Sequence, residues 1–476
     1  MKIPGFVGPS NVNQSPIVDQ ERTVNLYIEA STSQASSTDY VMYPIPGVRV
    51  LSTAASGKGR AHIAIGGREF AVIGTSFIEI DQFGAQTVRG AVADDGLQAT
   101  ISSNGDGGLQ LFITAGGNGY SYNLSTNVLA AIAALAGIAT MGASMDGFGL
   151  CLDANTSTVY LSDLNDFTTW DPTQFIQRSQ APDPWVSMGV SNKYLYLLGS
   201  QTSEPWYNAG TSPIPFQPTS VLMNYGCAAP FSRVASGANF AWIGATDSGE
   251  NMVLMTSGLQ PKVISTYATE LAFDNMAQIE DAIGDAYYDR GHNVFSWTFP
   301  FANQTWSWDE TTPTWCEKGS WDTGTGQYNL WRPLYHVFAF GQHRLLDVDG
   351  PTVFQMSPDF YTDVDGVSGI RWLRRSPAMV DQNKRLYFKT FELFIETGLG
   401  TVREADGTYR APQVALAISN DGGKTFGSPQ FRSFGALGEY EKRVRWTRQG
   451  SGRKRVYELT GSDPVPARIL GAFLNE

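Results

Sequence analysis

The feature that most constrains the fold is a repeat of short apolar segments along the first 360 residues. The segments begin near Phe70, Leu109, Phe148, Tyr194, Phe240, Val294 and His336, at spacings of 39, 39, 46, 46, 54 and 42 residues. Alternating partner segments, such as Tyr120-Ser121-Tyr122-Asn123, follow about ten residues later. Period-two alternation, with a glycine-containing turn between partners, predicts antiparallel β-strands.

A repeat of 40–50 residues that holds about four strands is typical of a β-propeller blade. We therefore predict an all-β protein with a β-propeller whose blades start near those apolar segments. Six blades with an extra unit and seven blades are both compatible with the spacing. The alternative fold is a long β-sandwich or two stacked β-domains.

The pattern changes after Gly366, where longer strands and a basic composition begin. Residues 370–476 contain 18 Lys and Arg against 11 Asp and Glu, a net charge of +7. Since the net charge of the whole chain is −12, residues 1–369 carry a net charge of −19. We predict an N-terminal segment over residues 1–55, a propeller over 56–368 and a basic β-sandwich-like platform domain over 369–476. The N-terminal segment lacks the repeat and is expected to complete the platform. Such a charge asymmetry indicates that the two regions have different neighbours.

A turn motif lies inside the C-terminal domain. Residues 419–426 (SNDGGKTF) match the Asp-box hairpin S-x-D-x-G-x-T-[WF], in which Ser419, Asp421, Gly423, Thr425 and Phe426 hold the motif positions. The aspartate accepts turn amides and glycine takes the positive φ, so the motif specifies a hairpin rather than a chemistry.

Basic residues cluster on predicted neighbouring strands of the same domain. Two interpretations are open. The cluster is either a solvated charged face, or a contact surface for an acidic partner or for phosphates. Arginine favours the second because its fork bonds carboxylates bidentately. The predicted partner-docking residues are Arg371, Arg374, Arg375, Arg443, Arg445, Arg448, Arg453, Lys454 and Arg455.

The remaining candidate sites favour structural roles. Three widely spaced cysteines predict reduced, buried thiols and synthesis in a cytosol. The runs 347–350 and 363–366 (both DVDG) lack a full set of calcium ligands and predict hairpin turns. His336 and His343, seven residues apart, could be neighbours in a hairpin. No motif for a nucleophile, a metal or a cofactor is found, so no catalytic, metal-binding or cofactor-binding residue is predicted.

Two apolar features bear on membranes. The N-terminus has no apolar region of a secretory signal. Residues 128–141 (VLAAIAALAGIATM) are too few to span a bilayer and predict a buried helix or an apolar loop.

Short motifs along most of the chain resemble the packaged-DNA stabilisation or tail-hub (nozzle) proteins of short-tailed phages. They lie, in the same order, at 24–27 (VNLY), 46–47 (PG), 59–61 (GRA), 166–170 (DFTTW), 182–183 (PD), 204–207 (EPWY), 226–230 (GCAAP), 291–292 (GH), 299–300 (FP), 305–309 (TWSWD), 315 (W), 419–426, 438–440 (GEY), 443–446 (RVRW) and 463–465 (DPV). The chain departs from the pattern at 450–452 (GSG), an insert before the last basic run.

The resemblance implies a structural protein of the virion tail, made in the host cytoplasm and not an enzyme. It implies a homohexameric tube that docks on a portal or adaptor ring, with tail fibres, spikes or a tail needle as further partners. The tube would retain packaged DNA and conduct it without sequence-specific contacts or membrane insertion, and an acidic wall would repel its phosphates. Rival functions are a sialidase-like propeller glycosidase or depolymerase, which needs close carboxylate pairs, and a carbohydrate-binding propeller.

Overall fold

The computed structural model describes residues 1–15, 19–31, 39–105, 107–178, 180–246, 249–382 and 384–475. These residues form an all-β protein, as the repeat predicts. Helical structure within them is limited to α1 (Tyr267–Asp274) and two 3-10 turns, Ala133–Leu135 and Ile279–Asp281. Thr266 caps α1 by accepting a hydrogen bond from the Thr269 amide.

The N-terminal part of the chain contributes five strands that precede the repeat. They are β1 (Asn11–Val12), β2 (Gln20–Val24), β3 (Leu26–Ala30), β4 (Tyr40–Pro44) and β5 (Gly47–Thr53).

The described strands of the repeat form a propeller of seven four-stranded antiparallel blades. Blade 1 holds β6 (Gly59–Ile65), β7 (Arg68–Ile73), β8 (Ser76–Ile80) and β9 (Gln86–Ala91); blade 2 holds β10 (Thr100–Ser103), β11 (Gln110–Ala115), β12 (Asn118–Asn123) and β13 (Val128–Ala131); blade 3 holds β14 (Met141–Met145), β15 (Phe148–Asp153), β16 (Thr158–Asp163) and β17 (Asp166–Gln177). Blade 4 holds β18 (Trp185–Ser191), β19 (Tyr194–Gly199), β20 (Ser203–Asn208) and β21 (Phe216–Pro218); blade 5 holds β22 (Val234–Ser236), β23 (Asn239–Ala245), β24 (Asn251–Thr256) and β25 (Lys262–Val263); blade 6 holds β26 (Ile283–Asp289), β27 (His292–Phe299), β28 (Gln304–Asp309) and β29 (Thr314–Lys318). A hairpin of β30 (Ser320–Asp322) and β31 (Gln327–Asn329) leads to blade 7, which holds β32 (Pro333–Ala339), β33 (Gln342–Asp347), β34 (Thr352–Ser357) and β5.

The first strand of each blade contacts the first strands of its neighbours, and the contact between β32 and β6 closes the ring. The closure also joins distant parts of the sequence. Strand β5 comes from the N-terminal side of the repeat and pairs with β34 as the outer strand of blade 7. Since each blade buries both faces against neighbours, a strand borrowed across the chain ends locks the first and last blades together.

The predicted pitch of the repeat is right, but the predicted blade starts are one strand late. Phe70, Leu109, Phe148, Tyr194, Phe240 and Val294 lie in or next to second strands, whereas His336 lies in a first strand. The physical reason is burial. Second strands such as β7 and β15 are buried along most of their length and are therefore continuously apolar. First strands such as β10, with the sequence TISS, line the centre and give a weaker apolar signal.

The C-terminal part forms a β-sandwich with the N-terminal strands. Its strands are β35 (Trp372–Arg375), β36 (Leu386–Tyr387), β37 (Thr390–Ile395), β38 (Val402–Arg403), β39 (Tyr409–Arg410), β40 (Gln413–Ser419), β41 (Gln430–Ser433), β42 (Val444–Thr447), β43 (Ser451–Gly452), β44 (Val456–Gly461) and β45 (Ile469–Leu474). One sheet has the order β3-β4-β45-β37-β42, and the other contains β2-β35-β44-β40-β41. Their shared core packs N-terminal side chains such as Phe6 and Leu26 against Phe391 and Trp446.

The second sheet of the sandwich continues into the propeller. Strand β2 pairs with β35 on one side and, in parallel, with β29 of blade 6 on the other. That residues 1–55, 56–368 and 369–476 are three separate units stays a prediction. The strand pairing corrects its first boundary, because Gly47–Thr53 belongs to blade 7 and not to the platform.

The apolar stretch 128–141 is not a buried helix. It forms the outer strand β13, the 3-10 turn Ala133–Leu135 and the connection to β14. Leu129 and Leu135 face neighbouring strands, whereas most of the alanines are exposed. A helix of this composition would be apolar on all sides and would have to be buried. An edge strand and a tight turn can instead leave these small side chains exposed.

Candidate functional site

Two of the predicted docking cations are buried structural residues, which corrects their assignment to a contact surface. The side chain of Arg374 is 0% exposed and forms an ion pair with Glu21. Its guanidinium also donates to carbonyl oxygens of the N-terminal segment at 2.6–3.1 Å, those of Gly5, Phe6, Gly8 and Pro9. A guanidinium so enclosed binds the N-terminal segment to β35 and cannot meet a partner.

Arg455 is enclosed in the same way. It donates to the Asn420 side chain at 2.9 Å and to the Gln449 carbonyl at 3.0 Å. Its guanidinium carbon lies 4.3 Å from the ring centre of Phe388, where the ring face attracts the cation. Nothing in the local sequence distinguishes Arg455 from its neighbours Arg453, which is exposed, and Lys454, which is partly exposed.

Three further predicted cations form ion pairs within the chain. Arg375 forms an ion pair with Glu458 at 2.7 Å. Arg443 and Arg445 both bond the carboxylate of Glu392 on the adjacent strand β37, at 2.6 and 2.7 Å. Arg445 of β42 and Arg443, which directly precedes this strand, reach the same carboxylate, which cancels only part of their combined charge.

Arg371 lies at the junction of the propeller and the sandwich. Its guanidinium stacks on the ring of Trp321 at 4.0 Å, in a polar cavity of about 470 Å³. The carboxylates that line this cavity are Glu317, paired with Arg22 at 2.7 Å, and Glu458, paired with Arg375. Both carboxylates are therefore occupied by arginine and do not form the free acid and base pair that a glycosidase uses.

The cations that stay available form a second, smaller cluster, which we call the basic edge: Arg385, Lys389, Arg448, Arg453 and Lys454. Within the described residues none of these side chains forms an ion pair. Arg385, Lys389, Arg448 and Arg453 are exposed and Lys454 is partly exposed. Tyr387, 77% exposed, lies among them.

Strand pairing assembles the basic edge from two distant segments. Leu386 pairs with Gly452 and Tyr387 with Ser451. The amide of Phe388 donates to the Gly450 carbonyl and that of Arg448 to the Lys389 carbonyl, both at 2.8 Å. Sequence reasoning missed Arg385 and Lys389 because about sixty residues separate them from the other members. The two segments are joined by the pairing of β36 with β43 and of β37 with β42.

The hairpin at 419–426 supports the same edge. Asp421 Oδ1 accepts the amides of Lys424 and Thr425 at 3.0 Å, and its Oδ2 accepts the Thr425 hydroxyl at 2.6 Å. These hydrogen bonds and that of the Ser419 hydroxyl, the first cause, lower the pKa of the Asp421 carboxyl. Gly423 has φ +90° and its amide donates to Ser419 Oγ. The Gly422 amide bonds the Lys454 carbonyl at 3.1 Å, so the turn fixes the backbone beside the basic run.

The centre of the propeller holds a cavity of about 330 Å³ lined by first strands, with His62, Thr100, Ser144, Arg233 and Tyr335 among its lining residues. The ring of His62 is fully engaged, since its nitrogens contact the Tyr335 carbonyl at 2.8 Å and Glu69 at 2.9 Å. Residues of all seven blades thus meet around one small polar cavity at the propeller axis.

Buried titratable groups collect between blades 6 and 7. Burial lowers the pKa of Lys318 to about 8 and raises that of Asp285 to about 6. His336 and His343 are neighbours, as predicted, with 2.9 Å between Nε2 and Nδ1. Burial, followed by the adjacent His343, lowers the pKa of His336 to about 3. These groups pack within and between blades 6 and 7, where His336 contacts both Asp285 and His343.

The other predicted structural sites are found as expected. Cys151, Cys227 and Cys316 are free and buried, and burial raises the pKa of the Cys227 and Cys316 thiols to about 12. The run 347–350 connects β33 to β34, and 363–366 lies in a turn closed by Thr362 and Gly369. Among the residues that the structure describes, no group of three or more His, Cys, Asp or Glu could hold a metal ion. No described helix has the length and hydropathy needed to cross a membrane.

Comparisons with known proteins bear on the whole chain. The family model described as bacteriophage P22 Gp10, beta-propeller, matches residues 1–361, and the one described as bacteriophage P22 Gp10, beta-sandwich, matches residues 371–475. No curated protein sequence matches the chain significantly.

Solved structures with a similar arrangement are distant. The extracellular domain of a one-component system protein from B. thetaiotaomicron is 10% identical, with a TM-score of 0.43 over 85% of this chain and 48% of that one. YCF48 from Cyanidioschyzon merolae is 8% identical, with a TM-score of 0.40 over 66% and 99%. Virginiamycin B lyase from Staphylococcus aureus is 10% identical, with a TM-score of 0.38 over 70% and 99%.

Proposed function

Because the chain belongs to the bacteriophage P22 Gp10 family, a family of structural phage tail proteins, we propose that it is the nozzle, or tail hub, of a short-tailed phage. In this proposal six copies form a tube at the end of the tail, which retains the packaged genome and conducts it during ejection. The sandwich docks on a portal or adaptor ring. Fibres, spikes or a needle attach to the tube, and the chain is made in the host cytoplasm.

The observation that carries this proposal is the basic edge. The C-terminal domain has a net charge of +7 and presents cations that form no ion pair with any residue the structure describes, whereas the propeller region is strongly acidic. An unneutralised basic surface favours an acidic partner, because complementary charges steer association and set orientation. An acidic ring of portal or adaptor subunits is such a partner.

The small cavity at the propeller axis supports a conduit made by several chains. The blades meet around a cavity of only about 330 Å³ at the propeller axis, so in this proposal the path for DNA runs between copies. An acidic surface along that path repels phosphates and lets the duplex slide, whereas lysines and arginines would bind it.

The test is a charge reversal in the basic edge. Arg448→Glu with Arg453→Glu should leave the fold intact, since both side chains are exposed, but weaken docking. The matched control is Lys58→Glu with Lys262→Glu, two exposed propeller lysines without an ion pair among the described residues. Each purified variant is added to particles that lack the protein, and tails are counted by electron microscopy.

We expect fewer tails for the sandwich variant and normal numbers for the control. The wild type should lose incorporation as salt rises above about 0.15 M, where the Debye length is about 8 Å. Normal incorporation of Arg448→Glu with Arg453→Glu at all salt concentrations would show that the basic edge is only a solvated surface. An equal loss in the control would show that total charge, and not this edge, controls docking.

A further inference from the structure

The charges of the propeller are unevenly distributed around its ring. Between Gln98 and Ser232, the part of the chain that forms blades 2, 3 and 4, the sequence has two basic residues, Arg178 and Lys193, and eight acidic ones. Arg178 is buried in ion pairs with Asp183 and Glu204, at 3.1 Å each. Of the described residues in this sector, Lys193 is therefore the one exposed cation.

The acidic side chains of the sector concentrate on blade 3. Asp146, Asp163 and Asp171 are exposed and Asp166 is partly exposed. Asp146 lies in the β14–β15 turn, Asp163 ends β16, and Asp166 and Asp171 lie on the outer strand β17. No basic side chain near them is paired with these carboxylates in the described part of the chain. Blade 3 therefore presents uncompensated negative charge.

Blade 2 presents an outer edge without charge. Residues 107–145 contain no charged residue at all. Strand β13 is the unpaired edge of its sheet, with Val128 57% exposed and Ala130 and Ala131 exposed beside it. Ala133 and Ala134 of the following 3-10 turn are exposed as well. Edge strands of free monomers are usually protected by lysine, proline or a bulge, and this edge has none of these.

Blade 4 has a similar surface on the other side of blade 3. From Tyr194 to Ser232 the one charged residue is Glu204, which is buried. The exposed side chains are neutral and include Tyr207, Pro213, Gln217 and Leu222. Two blades with uncharged outer edges thus flank an acidic one, and the exposed Lys193 lies in the β18–β19 turn of blade 4.

From this order we infer that neighbouring copies of the chain pack through blade 2 of one copy and blade 4 of the next, with blade 3 facing the axis of the ring. The inference rests on the proposed multi-chain tube and assigns its interface. Interfaces are depleted in charged residues at their centre, which fits blades 2 and 4. A wall that faces DNA without binding it has to be acidic or neutral, which fits blade 3.

The geometry of the two rings agrees with this assignment. Adjacent blades in a ring of seven differ in direction by about 51°, one seventh of a turn. In a ring of six subunits, the direction from a subunit to its neighbour lies about 60° from the direction to the ring axis. With the propeller axis parallel to the tube axis, which this assignment requires, the blades on either side of an axis-facing blade point close to the two neighbours. The contact is heterologous, since blade 2 meets blade 4 and not itself, and it closes into a ring because each step of the proposed tube turns by one sixth of a circle.

The first experiment measures the assembly state of the full chain by mass photometry. Val128→Glu on blade 2 and Leu222→Glu on blade 4 each place a charge at the proposed interface and should convert the ring to monomers. The control is Val50→Glu, also an exposed valine on an outer strand, but on blade 7, which points away from the axis. This control should assemble as the wild type does.

The second experiment tests the pairing of the two blades. Ala130→Cys with Leu222→Cys in one chain should be linked by a short bismaleimide into covalent multimers up to the full ring. Either cysteine alone should give no ladder, because the contact is heterologous. Dimers formed by Ala130→Cys alone would overturn the assignment in favour of a two-fold contact.

Different results would overturn the proposed tube and the assigned interface. A wild-type chain that stays monomeric at all concentrations and in tails would overturn the proposed tube. A wild-type ring that survives both Val128→Glu and Leu222→Glu would leave the tube standing and overturn the assigned interface.

Discussion

At the residue scale, buried arginines of this protein donate hydrogen bonds to main-chain carbonyl oxygens. Arg60 donates to the carbonyls of Leu97 and Ala93, and Arg344 to those of Asp81 and Gln82. Arg374 and Arg455 do the same in the sandwich. Loops that connect many short strands leave carbonyls without strand partners, and a guanidinium with five donors can satisfy several at once.

We predict that Arg374→Met destabilises the protein by about 3–5 kcal/mol, because it leaves Glu21 and several carbonyls buried without a partner. The measurement is the free energy of unfolding from urea titration, followed by tryptophan fluorescence. Arg448→Met, at an exposed arginine of the same domain, should change it by less than about 0.5 kcal/mol. Equal effects of the two substitutions would contradict a structural role for Arg374.

A histidine at the junction of the two domains predicts a pH dependence. His292 Nδ1 lies 2.5 Å from Asp309 Oδ2, and its ring packs edge-on against Tyr27 of strand β3 at 5.0 Å. The hydrogen bond to Asp309 raises the pKa of His292 despite partial burial, and Glu29 and Asp289 add to the effect. Because the folded value is raised, this stabilisation is fully present below the unfolded value near 6.5. It is lost as pH rises through the folded value.

The corresponding measurement compares the wild type with His292→Gln. The stability difference between them should be largest at pH 6 and should shrink as pH rises toward 8. His336, whose pKa is lowered, contributes with the opposite sign, so its stabilisation is lost as pH falls from about 6.5 toward 3. Taking the difference to His292→Gln removes that contribution. A difference independent of pH would refute the assignment.

At the element scale, strand β5 joins the two ends of the propeller. It pairs with β34 along most of its length, and its Val48 is 0% exposed, in the core of blade 7. We predict that Val48→Ala lowers the free energy of unfolding by about 2 kcal/mol, because it leaves a cavity in the blade that closes the ring. Val50→Ala, at a valine of the same strand that is half exposed, is the matched control and should have an effect below about 0.5 kcal/mol. Similar losses for both valines would mean that β5 is held by its hydrogen bonds alone.

At the scale of the whole molecule, the chain ends meet in the sandwich. Met1 and Leu474 exchange main-chain hydrogen bonds of 2.8 Å, and β3 and β4 complete the sheet that contains β37 and β45. We predict that residues 371–475 alone do not fold, because Phe6 and Leu26 would be missing from their core. Joining residue 475 to residues 1–46 through a short glycine-serine linker should restore the fold, as near-ultraviolet circular dichroism can show. Cooperative unfolding of the 371–475 fragment alone would contradict this prediction and support the division at residue 368.

The candidate site was only partly predictable from the sequence. A run such as Arg453-Lys454-Arg455 indicates a basic region, but Arg455 turns inward toward Asn420 and Phe388, whereas Arg453 stays exposed. Carboxylates that neutralise Arg443 and Arg375 come from Glu392 and Glu458, on other strands. Whether a charge is free depends on which strand lies beside it, and strand pairing is a long-range property.

The sequence by itself determined the class of fold, the pitch of the repeat, the Asp421 hairpin and the charge contrast between the two regions. These features depend on neighbours along the chain, through side-chain alternation, turn chemistry and composition. The tertiary structure alone decided that β5 closes blade 7, that β2 joins the propeller to the sandwich, and which arginines stay available for a partner. Those outcomes depend on contacts between segments up to about 370 residues apart, such as that of Arg374 with Phe6. Local pattern carries no information on such pairs, because their energy arises only when the folded chain brings them together.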